Sequence, residues 1–320
     1  MNRNRTTAIV VAAVIVAALA VGAWLLNLKG GAPPTVRTAS PASVRVVSLA
    51  PNLTEMAFAV GGGGDIVGVS DFDNYPPAVR QLARVGGFIN PSLEKIVAMR
   101  PDIVLIHKGN PLDVIDKLKG AGIRVEVFDD ERSLTDILTS IRRLGDLLNK
   151  QAEATKEVES IRAALTMVRV AADKARGAGG RVRVYFGGTS PPYWTAGGRT
   201  FIDEVIQVAG GRNVGYKITQ DWPTISPEAI VAFDPQAIII PVKDLAAKGD
   251  SALAKARLDI SQAPGLKDTD AARNGRILLV DEDVIERPGP RIAEAARTIA
   301  DGLAKMFGAK TSPAPSKEAE

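Results

Sequence analysis

Residues 92–106, SLEKIVAMRPDIVLI, read as a short amphipathic helix, a break at Arg100-Pro101-Asp102, and an apolar strand, IVLI. Residues 226–240, SPEAIVAFDPQAIII, repeat the unit. At an offset of 134 residues, Glu94 aligns with Glu228, Ile96 with Ile230, Val97 with Val231, Ala98 with Ala232 and Pro101 with Pro235. A helix–strand unit written twice predicts two similar halves. The rest of the chain keeps the same rhythm. Apolar runs at 45–50, 66–70, 103–106, 125–128, 182–186, 237–240 and 277–280 alternate with helical patterns at 53–60, 93–99, 114–122, 201–210, 227–233 and 292–307. Short, continuously apolar strands between helices predict parallel sheets covered on both faces.

The middle of the chain breaks this rhythm. Residues 133–175 hold no strand candidate and no proline, and their apolar positions recur at helical spacing; 152–174 read as one long helix. The predicted fold class is therefore α/β, with two similar Rossmann-like lobes joined by a single long interdomain α-helix and a ligand cleft between the lobes. The expected boundaries are a lobe over 44–150, the helix over 151–176 and a second lobe over 177–309.

The two ends differ in composition from this body. Arg3 and Arg5 precede Ala8–Leu26, an uncharged run of 19 residues. As a helix it spans roughly 28 Å, close to the hydrocarbon thickness of a bilayer. Arginines ahead of the run predict a cytoplasmic N-terminus and an exported remainder. Residues 1–29 read as an uncleaved signal anchor, with a cleaved signal peptide as the other reading. Residues 30–43 form a Pro/Gly/Ser/Thr linker and 310–320 a polar tail. Either reading puts the working domain outside the cytoplasm, in the periplasm or on the outer face of the membrane.

Composition narrows the chemistry. The 320 residues carry a net charge of +4 with no dense basic run, which argues against a nucleic-acid partner. There is no cysteine and one histidine, His107, so cysteine nucleophiles, disulfides and Cys/His zinc sites are excluded. Gly61–Gly64 follow a helix and precede a strand, the position of a helix stop and not of a phosphate loop. Asp71, Asp73, Asp129, Asp130, Asp281, Glu282 and Asp283 follow strand candidates, but scattered acids are ordinary loop composition and form no ligand-spaced metal cluster.

The aromatics are more informative. Phe72, Tyr75, Phe88, Tyr193, Trp194 and Trp222 all fall in predicted loops, and the repeat offset pairs Phe88 with Trp222. Such a set fits the walls of a cleft for a large flat ligand. His107 ends the IVLI strand, and ligands of open α/β sheets bind beyond the carboxyl ends of strands. Arg287 and Arg291, in ERPGPRI, can supply charge-assisted bonds to ligand carboxylates, amides or phosphate.

RVVSLAPNLTEMAFAVG, VGVSDFDNYPP, VGGFINPSLEKIVAMRPDIVL, WPTISPEAIVAFDPQAIII and ERPGPRI, in this order over residues 44–307, resemble substrate-binding proteins of ABC importers. The branch resembled has a helical backbone between its lobes and handles vitamin B12, haem and iron–siderophore complexes. The motifs look most like those of the vitamin B12-binding proteins. The resemblance implies a monomer that performs no chemistry, holds a corrinoid (vitamin B12 or cobinamide) between its lobes and delivers it to a permease dimer with its cytoplasmic ATPase. Haem and ferric siderophore are the alternative cargoes, and no resident cofactor is implied. It implies a pocket of Phe72, Tyr75, Phe88, Tyr193, Trp222, Asp283 and Arg287, with His107 near a further pocket position. It also implies that Glu94 and Glu228, one per lobe, dock onto permease arginines. Phe88 stands where the family's B12 binders carry tryptophan. Outside this class, the alternatives are an exported α/β enzyme, for which no nucleophile–base pair or phosphate loop is in register, and a receptor domain that senses the ligand.

Overall fold

A computed structural model describes residues 44–177 and 180–307; the expected anchor or signal peptide (1–29), linker (30–43) and tail (310–320) lie outside the described residues. The first lobe runs β1 (Val46–Ser48), α1 (Pro51–Ala59), β2 (Ile66–Val69), β3 (Ala83–Arg84), α2 (Leu93–Ala98), β4 (Ile103–His107), α3 (Leu112–Gly120), β5 (Arg124–Phe128) and α4 (Leu134–Leu147). Its five strands pair in parallel in the order β3-β2-β1-β4-β5.

After α5 (Gln151–Arg176) comes the second lobe. It runs β6 (Val182–Phe186), β7 (Tyr193–Trp194), α6 (Phe201–Val208), β8 (Gly211–Asn213), β9 (Thr224–Ile225), α7 (Pro227–Phe233), β10 (Ala237–Val242), α8 (Asp250–Gln262), α9 (Asp270–Arg273), β11 (Ile277–Asp281), α10 (Glu282–Ile285) and α11 (Ile292–Phe307). A parallel sheet ordered β11-β10-β6-β8 is joined by the small antiparallel pair β7-β9. Each of the seven apolar runs forms a strand at its expected place, and the class is α/β with two parallel sheets.

Local chemistry sets the helix ends. Pro51 opens α1, where a missing N–H is harmless, and Gly61 stops it with φ +79°. A capping box of Ser133 and Asp136 starts α4. The helical stretch then breaks at Asn149, φ +56°, before α5 begins.

The 26 residues of α5 bury one stripe, Ala154, Val158, Ile161, Leu165 and Val168, at alternating spacings of four and three. That stripe belongs to one continuous core with Leu105 and Phe128 of the first sheet, Val184 and Ile239 of the second, and Ile299 and Leu303 of α11. Two further clusters cover the opposite sheet faces, around Val104 and Ile115 in the first lobe and Ile238 and Leu266 in the second. The long helix is therefore core to both lobes, and their relative placement is set by packing as well as by chain connection.

The strand orders also locate the crevices. In the first sheet the chain leaves β1 toward β2 and later returns to its other side as β4; in the second, β6 lies between β8 and β10 in the same way. Loops following strands on either side of such a reversal splay apart and leave room for a ligand. His107 closes β4, and β7 follows β6.

Candidate functional site

Between the loops beyond the strand ends lies a cavity of about 320 Å³. His107, Asp130, Glu131 and Arg132 form its first-lobe wall, and Thr200, Phe201, Asp221, Trp222 and Pro288 its second-lobe wall. A larger cavity of about 510 Å³ sits at the amino ends of β6 and β8, beside Arg181 and Phe307. It contains none of the loop aromatics, so size does not select the site.

His107 is tightly surrounded. Its Nε2 lies 3.5 Å from Glu131 and its Nδ1 3.6 Å from Asp130. Glu131 is buried and also accepts from Asn52 Nδ2 at 3.2 Å and Ser140 Oγ at 2.8 Å. Burial by itself lowers the imidazole pKa, but the hydrogen bond to Glu131 and the charges of Glu131, Asp130 and Asp129 outweigh it. The net result is a pKa above the ordinary histidine value. The loop beside it is fixed from both ends: His107 N donates to Asn110 Oδ1 at 2.9 Å, and Asn110 Nδ2 donates to Phe88 O at 2.7 Å. A Cβ added at Gly109 would stand 3.2 Å from the Phe88 ring and 3.9 Å from His107 Nδ1, so Phe88 is brought beside the histidine across that glycine.

Phe72 is 57 % exposed, Tyr75 42 % and Trp222 46 %, exposures that leave ring faces available to a ligand. Trp222 stands edge-on to Trp194 at 5.8 Å, and Trp194 edge-on to Phe186 at 5.9 Å. Tyr193 departs from expectation. It is 1 % exposed, packs edge-on against Tyr185 and donates its hydroxyl to Pro264 O. Adjacent residues of a strand point to opposite faces, so Trp194, one position along β7, takes the place facing Trp222. Tyr75 lines a separate cavity of about 350 Å³ with Phe58, Glu55 and Arg291, and the Arg291 guanidinium lies 4.2 Å over its ring.

Asp283 and Arg287 also differ from a ligand-facing arrangement. Arg287 Nη1 donates to Glu55 Oε1 at 3.0 Å and Asn74 Oδ1 at 2.7 Å, while its Nη2 donates to Asp283 Oδ1 at 2.6 Å. Asn74 donates in turn to Asp283. Glu55 and Asn74 belong to the first lobe and the others to the second, so this network clamps the lobes together. A second ion pair, Arg132 to Asp221 at 3.0 Å, spans the cleft wall. Arg291, expected to meet ligand, instead pairs with Glu55. Asn52, Glu55, Asn74 and Glu131 were not among the expected site residues. Their signal was a carboxylate or amide inside an otherwise apolar helix or turn, as in NLTEMAFAV.

A family model of periplasmic binding proteins matches residues 46–284. The chain belongs to the periplasmic binding protein family. Among its relatives, an uncharacterized ABC transporter substrate-binding lipoprotein of Bacillus subtilis is 29 % identical over 81 % of this chain and 79 % of its own length. A vitamin B12-binding protein of Pectobacterium carotovorum is 30 % identical over 82 % of this chain and 89 % of its own. Among solved structures, a periplasmic haem-binding protein from Pseudomonas aeruginosa superposes with a TM-score of 0.69 and 30 % identity, covering 82 % of this chain and 92 % of that one.

This periplasmic binding protein is thus a non-enzymatic, extracytoplasmic substrate-binding component of an ABC importer, in the class that includes B12, haem and iron–siderophore binders. Among the described residues, no group of three or more His, Asp or Glu side chains is arranged for a metal ion. No helix among them is long and apolar enough to cross a membrane.

Glu94 and Glu228 occupy matching places, in the first turns of α2 and α7 and exposed on both lobes. Ser92 and Ser226 cap the two helices, accepting from Lys95 N at 3.4 Å and Ala229 N at 3.2 Å. A hydrogen bond from its own backbone, reinforced by Ser226, holds the Glu228 carboxyl below its ordinary range.

Proposed function

We propose that this binding protein captures a corrinoid, vitamin B12 or cobinamide, between its lobes and hands it to the importer. The observation that carries the reading is the cavity walled by His107 from the first lobe and Phe201 and the exposed Trp222 from the second, with half-buried Phe88 beside His107 across Gly109 and exposed Phe72 beside Gly87 on the adjoining first-lobe loops. A flat macrocycle presents two apolar faces and a polar rim, and such walls bury the faces while the cavity's acids and Arg132 meet the rim. Vitamin B12-binding relatives at 29 % and 30 % identity support the same cargo. In this reading Phe72, Phe88, His107 and Trp222 touch ligand and Tyr75 lies at the margin. Asp283 and Arg287 act by fixing lobe spacing.

Delivery is assigned to Glu94 and Glu228, whose exposed carboxylates offer charge-assisted contacts to cationic groups on the two halves of a permease dimer. Residues 1–29 are proposed to tether the domain to the membrane and 30–43 to space it off the surface.

Haem is the second reading, supported by the haem-binding neighbour and by a histidine in the cavity. Against it, a metal ligand must be a neutral imidazole, and the acids around His107 favour the protonated form. Titration of residues 44–320 with cobinamide, cyanocobalamin and haem tests both. Saturable quenching of tryptophan fluorescence by a corrinoid is expected. No corrinoid affinity, with a Soret shift that depends on His107, would replace the first reading by the second.

A further inference from the structure

The two docking helices share more than their glutamates. In α2 and α7 the core residue is the same, Ile96 and Ile230, both 0 % exposed. Packing explains that identity. It does not explain Val97 and Val231, which are 46 % and 38 % exposed, or Ala98 and Ala232, which are also exposed. Nothing in either lobe's interior requires the same side chain at these places. Glu, Val and Ala stand at i, i+3 and i+4, so on each helix they form one continuous outward face. The neighbouring exposed position differs between copies: Lys95 in one, Ala229 in the other. The helices also end alike, on Arg100 and Asp234, each at φ +47° and each at the repeat offset.

We infer that each docking helix meets the importer with an apolar patch beside its carboxylate, formed by Val97 and Ala98 on the first lobe and Val231 and Ala232 on the second. This rests on the docking role given above to Glu94 and Glu228. It adds that the partner offers, at two equivalent places, a cationic side chain next to an aliphatic surface. The small alanine lets the partner backbone approach the helix, and the valine supplies apolar area that leaves water on contact. The carboxylate then steers and orients, while the patch slows dissociation.

The two parts respond differently to salt, and the test uses this. Binding of the full-length protein would be measured against the importer complex purified from its native host in lipid nanodiscs, at low and high ionic strength. The double variant Val97→Asn/Val231→Asn is expected to bind at least ~10-fold more weakly with its salt dependence intact. Glu94→Ala/Glu228→Ala should lose affinity and most of its salt dependence. Val97→Leu/Val231→Leu should bind like wild type, and Lys95→Ala should change affinity less than ~2-fold. Circular dichroism and cargo affinity check that each variant is folded.

Wild-type binding by the valine variants, together with loss in the glutamate variants, would overturn the apolar patch and leave the docking reading standing. Wild-type binding by both would overturn both. A Lys95→Ala loss equal to that of the valines would show that recurrence between lobes does not mark the contact.

Discussion

Glu55, on the first lobe's first helix, and Arg291, at the entry to the second lobe's last helix, form a two-pronged ion pair. Arg291 Nε donates to Oε2 at 2.8 Å and Nη2 to Oε1 at 2.7 Å, and the glutamate side chain is 2 % exposed. Arg287 reaches the same carboxylate at 3.0 Å. One buried anion thus holds two cations across the lobe junction, and Asp283 supplies the second negative charge. Removing the anion leaves the largely buried Arg291 guanidinium without its carboxylate and Arg287 with Asp283 as its remaining ion-pair partner. Glu55→Ala is expected to lower unfolding stability by about 3–5 kcal/mol, read as a reduced urea midpoint. An unchanged midpoint would mean that solvent reaches this seam.

The aromatic walls separate by role. Trp222→Ala should weaken corrinoid binding by about 2 kcal/mol, or ~30-fold in Kd, because it removes an exposed anchor from the cavity. Its effect on stability should be small. Tyr193→Phe should do the reverse, costing about 0.5–1.5 kcal/mol of stability through the lost hydroxyl bond to Pro264 while leaving affinity unchanged. Calorimetric titration and chemical denaturation of the two variants check the contrast. A Tyr193→Phe change in affinity would restore that residue to the site.

Glu286 predicts a pH dependence. Burial first, then the neighbouring charges of Glu282 and Asp283, push its carboxyl up from 4.5 to about 7. Between those values the folded state holds a proton that the unfolded state has released. Stability from this group therefore falls as pH rises through that window. Glu286→Gln should flatten the fall in midpoint between pH 5 and pH 8 and be more stable than wild type at pH 8. Parallel slopes in the two proteins would show that the carboxyl is solvated.

Much of the frame was legible because apolar runs and helical spacing report burial directly. The strands at 103–106 and 237–240, and the helices at 227–233 and 292–307, stand where the pattern puts them. The pairs β7 and β9, two residues each, were not legible, since two residues carry no periodicity. That gap is why Tyr193 and Trp194 could not be told apart as the fully buried ring and the half-buried ring that meets Trp222. The clamp was hidden for another reason. Glu55 and Arg291 are 236 residues apart, and nothing local to either names its partner. What was readable was the anomaly of a charge within an apolar helix, which a buried ion pair resolves.

The same logic makes the histidine a clean probe. The chain has only one, so its ring protons give a single titration in an NMR spectrum. In the wild type that titration should fall above the ordinary value of 6.5, because the bond and charge of Glu131, aided by Asp130 and Asp129, outweigh burial. Glu131→Gln removes the largest of the raising influences and leaves burial in place. The pKa should drop, and more of the ring should be neutral at pH 7. The stability linkage follows in sign. A folded-state pKa above 6.5 makes His107 stabilising in acid, an effect lost as pH rises through the folded value, and the variant should show less of it. A neutral imidazole is also the form that binds metal. Glu131→Gln should therefore strengthen any interaction with haem while Kd for a corrinoid held through its ring faces stays near wild type. A titration unmoved by the substitution would mean that the carboxylate 3.5 Å from Nε2 does not set the proton on this ring.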